Sequence, residues 1–365
     1  MTTQPEPRPE RDPRIDVLRG AALLMIYIDH IPLNELSRYT IRQFGFADAA
    51  ELFVFLAGYS AMTAFGRAFE RGPLLGWTRT IARVATLYFA QAGLLLATLV
   101  IVFVWRQFFP IHHPMFYPVI PEGLTGISRG LALMSLPDYL DILPLYIVLL
   151  TGFPLIYYGL RRNPGLTLAL SGLLWLVAWS DHRLNLPNAL DLTGGGWSFA
   201  PMSWQFLFTL GAALAITLRK PGTLLPQPRW VGVLCWSYLA WAYLLHRWAD
   251  VLENWDEVIE VGLLDKTHLA PLRLLSVLAL VYVLLGSPRF LAISRHRWLR
   301  PLDSCGRHSL AVYAMGSIVG LLGRLEFGSF GSGTAMQVGV NLAGVGAMLV
   351  LGVMLERRKT ARRRA

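Results

Sequence analysis

Long apolar runs separated by short polar segments dominate the pattern of this chain. An α-helix needs roughly 20 apolar residues to cross a hydrocarbon core of about 30 Å. Ten runs come close to that length, and the fifth and sixth are the shortest. The pattern predicts an all-α, polytopic membrane protein with about ten transmembrane helices. The predicted helices cover residues 15–33, 48–66, 80–105, 138–160, 165–180, 203–218, 229–248, 270–286, 306–325 and 334–355.

The same pattern divides the chain into one large domain and two tails. Residues 1–14 are polar, charged and rich in proline. They predict a disordered cytoplasmic tail rather than a cleavable signal peptide, because further apolar runs follow the first one. Residues 15–355 form a single predicted transmembrane domain, and residues 356–365 form a basic cytoplasmic tail.

The distribution of basic residues indicates the orientation. When the N-terminus is placed inside, 23 of the 33 Lys and Arg residues fall in cytoplasmic segments. Cytoplasmic loops of membrane proteins carry an excess of Lys and Arg. The bias therefore predicts ten spans with both termini cytoplasmic, in a bacterial inner membrane. The outer loop 249–269 is instead acidic and contains a predicted short amphipathic helix.

Composition agrees with a membrane protein, since 54% of the residues are hydrophobic and only 15% are charged. Soluble domains carry nearer ~25% charged residues. The net charge of +10 does not indicate nucleic-acid binding, because the basic residues lie in short clusters between apolar runs. Cys235 and Cys305 have no zinc-binding spacing, so we expect no metal site and no tightly bound cofactor.

Ionisable residues within apolar runs are costly and therefore suggest function. The first predicted helix carries Arg19 and His30, eleven residues apart. That spacing is close to three helical turns, so both side chains face the same side, about 16 Å apart along the axis. Arg19 is expected near the cytoplasmic end and His30 near the outer end. The alternative interpretation of His30 is a buried histidine that only donates to a backbone carbonyl.

The predicted topology brings two groups of polar residues together. The outer group shares the depth of His30 and consists of Asp29, Glu51, Asp141 and Gln205. The inner group lies near the cytoplasmic side and is cationic; it consists of Arg19, Arg79, Arg83, Arg307 and His308. Within it, Arg79 and Arg83 share one helical face at spacing i,i+4, which is consistent either with a phosphate site or with a simple topology signal.

Three segments resemble a known family. Arg19 followed after ten residues by His30 resembles the opening of the membrane acyltransferase-3 superfamily. The segment 51–59 resembles its phenylalanine-rich second helix, although Ala57 stands where a serine is usual. The segment 79–83 resembles the basic start of its third helix.

Within that superfamily the chain most resembles the OpgC branch, which is associated with succinylation of osmoregulated periplasmic glucans. The segments that carry this resemblance are 29–32, 141–146 and 197–205. In the last of them, Ala200 replaces an asparagine that is common in the branch. The resemblance extends over nearly the whole chain.

The resemblance implies an O-acyltransferase that moves an acyl group, succinyl in this branch, from cytoplasmic acyl-CoA to hydroxyls of a periplasmic glucan. His30 is then expected to be the general base, because an imidazole has an unperturbed pKa of about 6.5. Glu51, Asp141 or Asp29 would orient its ring, as in hydrolase triads. Direct transfer and an acyl-histidine intermediate both remain open.

The same resemblance implies where the two substrates bind. The donor phosphates are expected to bind the inner cations Arg19, Arg79 and Arg83, because guanidinium groups form charge-assisted bonds to phosphate. The sugar acceptor is expected to contact Trp197, Trp204 and Gln205. Acyl-CoA acts as a co-substrate, and the expected partners are the glucan acceptor and membrane lipids; the oligomeric state is not indicated by the sequence.

The competing hypothesis is a proton-coupled transporter, or a flippase without acyl-transfer chemistry. Intramembrane carboxylates and a histidine also suit a proton-coupled carrier. Many transporters contain inverted repeats, and none is evident in this chain. Formation of an ester from labelled succinyl-CoA distinguishes the hypotheses, because neither alternative makes one.

Overall fold

The computed structural model describes residues 12–116, 118–137, 139–190, 196–218, 222–249 and 262–364. Throughout these ranges the regular secondary structure is helical, and no β-strand occurs. The all-α prediction is therefore confirmed. Residues 1–11 of the predicted tail 1–14 and most of the acidic loop, including its predicted amphipathic helix, lie outside the described residues. The end of the tail was predicted wrongly, because the first helix begins at Pro13 and Arg14 is buried and bonded to Asp12 and to the carbonyl of Leu285.

Each of the ten predicted runs contains a helix. The helices are α1 Pro13–Asp29, α2 Ala49–Ala61, α3 Arg67–Arg71, α4 Pro73–Phe108, α5 Gly123–Leu131, α6 Ile142–Arg162, α7 Pro164–Ser180, α8 Pro201–Thr217, α9 Arg229–Ala249, α10 Pro271–Gly286, α11 Pro288–Ser294, α12 Arg300–Arg307, α13 Ser309–Phe330 and α14 Thr334–Arg364. A π-helical turn, Met62–Gly66, joins α2 to α3. The predicted helix 306–325 is divided at His308, which separates α12 from α13.

Several of these helices are long and apolar enough to cross a membrane. Among the described residues five meet this criterion, and a sixth span results if α10 and α11, which meet at 77°, are one broken span. Their length and composition indicate a helical membrane protein. The five are Ala49–Arg71, Pro73–Phe108, Ile142–Arg162, Ser309–Phe330 and Thr334–Arg362.

The start of α2 is fixed by a capping box, in which two side chains satisfy backbone donors that the helix leaves unpaired. Asp48 Oδ1 accepts a hydrogen bond from the backbone N–H of Ala50 at 2.8 Å. Glu51 Oε2 accepts one from the backbone N–H of Asp48 at 2.9 Å. The cap therefore holds both carboxylates at one end of α2.

A close crossing with α12 positions α1. A methyl group added to Gly20 would overlap the carbonyl oxygen of Leu302, and one added to Gly306 would overlap the carbonyl oxygen of Asp16. Small residues of this kind allow the backbones of membrane helices to approach closely. The contact is reciprocal, so it determines both the position and the rotation of α1.

The crossing of α2 and α8 follows the same rule. A methyl group on Gly58 would overlap the carbonyl oxygen of Phe208, and one on Gly211 would overlap that of Phe55. The first crossing joins α1 to α12 and the second joins α2 to α8, while α1 also packs directly against α2. Tyr27 is among the largest side chains enclosed in the core that results. The end of α1 that carries His30 lies near the start of α2, since the charge of Asp48 acts on the imidazole.

Candidate active site

His30 lies directly after α1, and its backbone N–H still donates to the carbonyl of Ile26 at 3.1 Å. Its half-buried imidazole packs against Tyr139, with ring centres 4.4 Å apart. Together with Tyr313 and Ser317, it lines a small pocket between α1 and α13. Within the described part of the chain, no group forms a hydrogen bond to either ring nitrogen. The ring is thus not used here as a donor to a backbone carbonyl.

Tyr139 connects His30 to a buried cation. The Arg324 guanidinium lies over the Tyr139 ring, 4.9 Å from its centre, a distance typical of cation–π contacts. The backbone of Tyr139 has φ 68°, a left-handed conformation that costs a non-glycine residue about 1–3 kcal/mol. The Tyr313 hydroxyl donates to the Tyr139 carbonyl at 3.2 Å. These contacts hold a strained residue against the imidazole.

Four charged side chains near His30 form what we call the outer charge cluster: Asp48, Glu51, Lys266 and Arg273. Arg273 Nε donates to Glu51 Oε1 at 2.7 Å, and Lys266 Nζ lies 2.6 Å from Asp48 Oδ2. Glu51 has no exposed surface. Buried charges are stable when they are paired and hydrogen-bonded, and two cations here balance two carboxylates.

Lys266 lies on the segment that precedes α10. Partial burial alone would lower the pKa of Lys266, but the carboxylates of Asp48 and Glu51 raise it above its usual value. Lys266 is therefore a cation at neutral pH. Together with Asp48 and Arg324, it is one of the charged groups whose fields reach His30.

The three carboxylates that the sequence proposed as partners of His30 lie in different surroundings. Glu51 belongs to the outer charge cluster and is bound by Arg273. Asp29 accepts a hydrogen bond from the Thr40 hydroxyl at 2.9 Å. Asp141 precedes α6, and its charge acts on Tyr313. A carboxylate that orients the imidazole stays a prediction.

The family assignment rests on the whole chain. The family model described as OpgC protein matches residues 11–360. This chain belongs to the OpgC family. The resemblance inferred from the sequence is confirmed, and the family implies an acyltransferase that modifies glucans. No curated protein and no solved structure shows significant similarity to the chain.

At the opposite end of α1, the OpgC-family protein brings two of its predicted donor-binding cations together. Arg19 donates to the carbonyl of Leu56 at 3.0 Å and also contacts the Ser60 hydroxyl. The charges of Arg83 and Arg19 both act on the Tyr146 hydroxyl of α6, and Arg83 has the larger effect. Arg79 lies one turn earlier on α4 and is exposed. Arg19 and Arg83 therefore converge between α1, α4 and α6.

Another basic residue at the same end is already surrounded by carboxylates. Arg307 lies 3.0 Å from Asp303, 3.2 Å from Glu356 and 3.8 Å from Asp16. His308 lies 2.9 Å from Glu356. This network joins α1, α12 and α14, and its positive charge is compensated within the protein.

The predicted acceptor residues of the OpgC-family protein are mostly enclosed. Trp197 is 4% exposed and Trp204 has no exposed surface. The Trp204 indole N–H donates to the carbonyl of Thr267 at 3.0 Å. Gln205 joins α8 to α7, because its Nε2 donates to the Ser171 carbonyl at 2.8 Å and its Oε1 accepts from the Ser171 hydroxyl at 2.6 Å. Their contact with sugar stays a prediction, and in this structure neither indole presents a face to solvent.

Sequence reasoning missed most of the cations around His30. Lys266, Arg273 and Arg324 fall on the side of the predicted topology that is otherwise poor in basic residues. That departure from the positive-inside bias is the signal that could have identified them. Asp48, three residues before Glu51, has the spacing of a capping box. Tyr139 carries no comparable signal in the sequence.

Proposed function

We propose that this OpgC-family protein transfers a succinyl group from cytoplasmic succinyl-CoA to hydroxyls of a periplasmic osmoregulated glucan. It would lie in the bacterial inner membrane with ten spans and both termini in the cytoplasm. The observation that carries the proposal is the pair of sites along α1. A half-buried imidazole without a hydrogen-bond partner among the described residues lies at one end, and the cations Arg19 and Arg83 converge at the other.

The end of α1 that carries Arg19 is suited to binding the phosphate groups of the acyl-CoA donor. Arg19 and Arg83 approach one hydroxyl from different helices, so their guanidinium groups can bind a phosphate group of CoA together. Guanidinium groups form bidentate, charge-assisted bonds to phosphate. Because α1 separates Arg19 from His30 by about 16 Å, the long pantetheine arm of the donor would carry the thioester from one site to the other.

The imidazole end suits the chemistry. His30 takes the proton from a glucan hydroxyl while that oxygen attacks the thioester carbonyl carbon. A carbon–oxygen bond forms, the carbon–sulfur bond breaks, and the departing thiolate of CoA receives the proton from His30. The products are the succinyl ester and free CoA. General-base catalysis of this kind typically contributes about 10²–10⁴-fold in rate.

The cations near His30 support a donor with a free carboxylate. A succinyl group carries a negative charge at its far end, and Lys266 and Arg324 are the positive groups whose fields reach the imidazole. Hydrogen bonds between cations and carboxylates are roughly twice as strong as neutral ones. We therefore assign the recognition of the succinyl carboxylate to this side of the pocket, where Arg324 is buried and Lys266, although paired with Asp48, keeps part of its side chain exposed.

The test is an assay of the purified protein in liposomes with labelled succinyl-CoA and periplasmic glucan. We expect label on the glucan as an alkali-labile ester, and loss of these esters, with an unchanged glucan backbone, in a strain that lacks the gene. Movement of the label across the membrane without an ester would overturn the proposal in favour of a transporter.

The proposed topology has its own test. A reporter fused after Arg364 should read cytoplasmic, and one fused near Glu253 should read periplasmic, because the basic residues concentrate on the inner side. If both fusions read the same side, the ten-span topology is wrong, whatever the result of the transferase assay.

A further inference from the structure

A second group of polar side chains lies apart from His30, on the segment 262–269 and at the end of α7. It consists of His182, Asp265 and His268, and one potential ligand atom from each residue lies within 4.8 Å of the others. His182 follows α7 by two residues, whereas the other two precede α10. The proposed acyl transfer uses none of them.

We propose that these residues form a site for a divalent transition metal of the zinc class. His268 and His182 supply the nitrogen ligands, Asp265 orients His268, and water completes the coordination. Imidazole nitrogen suits zinc, whereas calcium and magnesium prefer oxygen ligands. The chain's cysteine spacing indicated no metal site, and only the fold brings these two histidines together.

The surroundings of His268 carry the argument. His268 is 4% exposed, and its Nδ1 lies 2.6 Å from Asp265 Oδ2. The same carboxylate accepts the backbone N–H groups of Thr267 at 2.9 Å and of His268 at 3.1 Å. A histidine whose one nitrogen is held by a carboxylate presents the other nitrogen as an acceptor, which is the usual arrangement of histidine ligands to zinc.

The other nitrogen of His268 has no partner among the residues that the structure describes. Its Nε2 is buried and accepts no hydrogen bond from any of them, although most buried polar atoms in proteins have a partner. The ring of His182 stacks on that of His268, with centres 4.4 Å apart and planes 15° apart. A metal ion would supply the partner that the buried nitrogen lacks.

Coordination of one ion by both rings requires His182 to turn out of its stack on His268, because the nitrogen lone pairs of stacked imidazoles point in parallel directions. Zinc binds histidine nitrogen at about 2.0–2.1 Å in a tetrahedral arrangement, so two such nitrogens lie roughly 3.4 Å apart. His182 is exposed, so rotation about its side-chain torsions can direct a ring nitrogen towards an ion bound at His268 Nε2. His268 stays in place because Asp265 holds it.

Metal binding would connect α7 to the segment that carries Lys266. Three indole N–H groups already hold this segment: Trp175 donates to Leu269, Trp179 to Gly262 and Trp204 to Thr267. The proposed site adds a link through His182. The role assigned to the ion is to link these two segments, and it does not depend on the proposed acyl transfer.

The experiment measures zinc binding to the purified full-length protein, without a polyhistidine tag and after removal of metals with a chelator. Equilibrium dialysis against Zn²⁺ should give one equivalent per chain, and Co²⁺ should give the visible absorption of a tetrahedral site. His182→Ala and His268→Ala should each weaken binding at least tenfold. Asp265→Asn should weaken it about 10–100-fold, as loss of such an orienting partner does.

The matched control replaces another pair of histidines. His112 and His113 are exposed on a different loop, and the double alanine variant should bind zinc as the wild type does. His182 is exposed, so its variant should fold, which is checked by an unchanged melting temperature without metal. Absence of zinc binding by the wild type, or wild-type affinity in His182→Ala, would overturn the proposal. Neither result involves succinyl-CoA, so the outcome is independent of the transferase assay.

Discussion

Arg19 and His30, near the two ends of α1, differ in whether their side chains form hydrogen bonds. Arg19 at one end is held by the Leu56 carbonyl and the Ser60 hydroxyl. His30 at the other end has aromatic contact with Tyr139, while its ring nitrogens form no hydrogen bond within the described residues. An anchored cation suits the binding of a fixed anion, whereas an imidazole with an available nitrogen suits proton transfer. This difference is consistent with the proposed function, in which one end binds the donor and the other carries the proton transfer.

A second contrast lies within the outer end itself. In the outer charge cluster, Glu51 is fully buried and its charge is compensated by Arg273. The imidazole beside it is only half-buried and lines a pocket. The cluster thus stabilises the structure around His30 while leaving the imidazole accessible.

The largest expected effect follows from removing the proposed base. His30→Ala should lower the initial rate of acyl transfer by about 10²–10⁴-fold, with little change in donor affinity, because Arg19 and Arg83 lie at the other end. His30→Gln tests the alternative of a structural donor, since glutamine forms hydrogen bonds but does not accept a proton at neutral pH. A Gln variant that keeps more than about a tenth of the wild-type rate would rule out His30 as the base.

Breaking the buried ion pair should mainly change stability. Glu51→Gln leaves Arg273 without its closest carboxylate, and removal of one partner of a buried pair typically costs about 3–5 kcal/mol. We expect a lower midpoint in thermal or denaturant unfolding of the detergent-solubilised protein. The matched control is Glu35→Gln, because Glu35 and Arg38 form a pair of the same distance, 2.7 Å, whose side chains are 60% and 72% exposed. Equal effects of the two variants would contradict the role assigned to the cluster.

Substitutions at the end of α1 where the donor is proposed to bind should change the affinity for succinyl-CoA. Arg83→Gln should raise the Kd for succinyl-CoA about 10–100-fold, since a hydrogen bond to a charged group contributes about 1.5–3 kcal/mol. Arg79→Gln is the control on the same helix, where the guanidinium is exposed, and a smaller change is expected. Calorimetric titration of both variants measures the difference. Unchanged affinity in the double variant would reduce both arginines to topology signals.

The smallest expected effect is on the selectivity of the enzyme for the acyl group of the donor. Lys266→Met should lower the preference for succinyl-CoA over the uncharged butyryl-CoA by about five- to tenfold, less than a fully buried cation would because the side chain is 43% exposed. The ratio of kcat/KM for the two donors measures it, and the two donors serve as controls for each other. An equal loss with both donors would show that Lys266 acts only through its pairing with Asp48.

The amino-acid sequence by itself determined the helices and the relation of Arg19 to His30. Apolar runs predict membrane helices because the backbone must satisfy its own hydrogen bonds in lipid. Two residues on one helix have a relative position that helix geometry prescribes. The matched segments likewise identified the OpgC family, which the family model confirms over residues 11–360. The helix boundaries were predicted less accurately. The single predicted helix 306–325 is divided at His308 into the end of α12 and the start of α13.

Only the tertiary structure decided which side chains meet across helices. Glu51 and Arg273 are 222 residues apart, and the pairing depends on the rotation of their helices. That rotation follows from close crossings such as that of Gly58 with Phe208. Packing also encloses Trp204, which the sequence did not indicate, because the burial of an apolar ring depends on which helices surround it; its contact with sugar stays a prediction. Composition and spacing describe each helix by itself, whereas contacts between helices depend on packing over the whole chain.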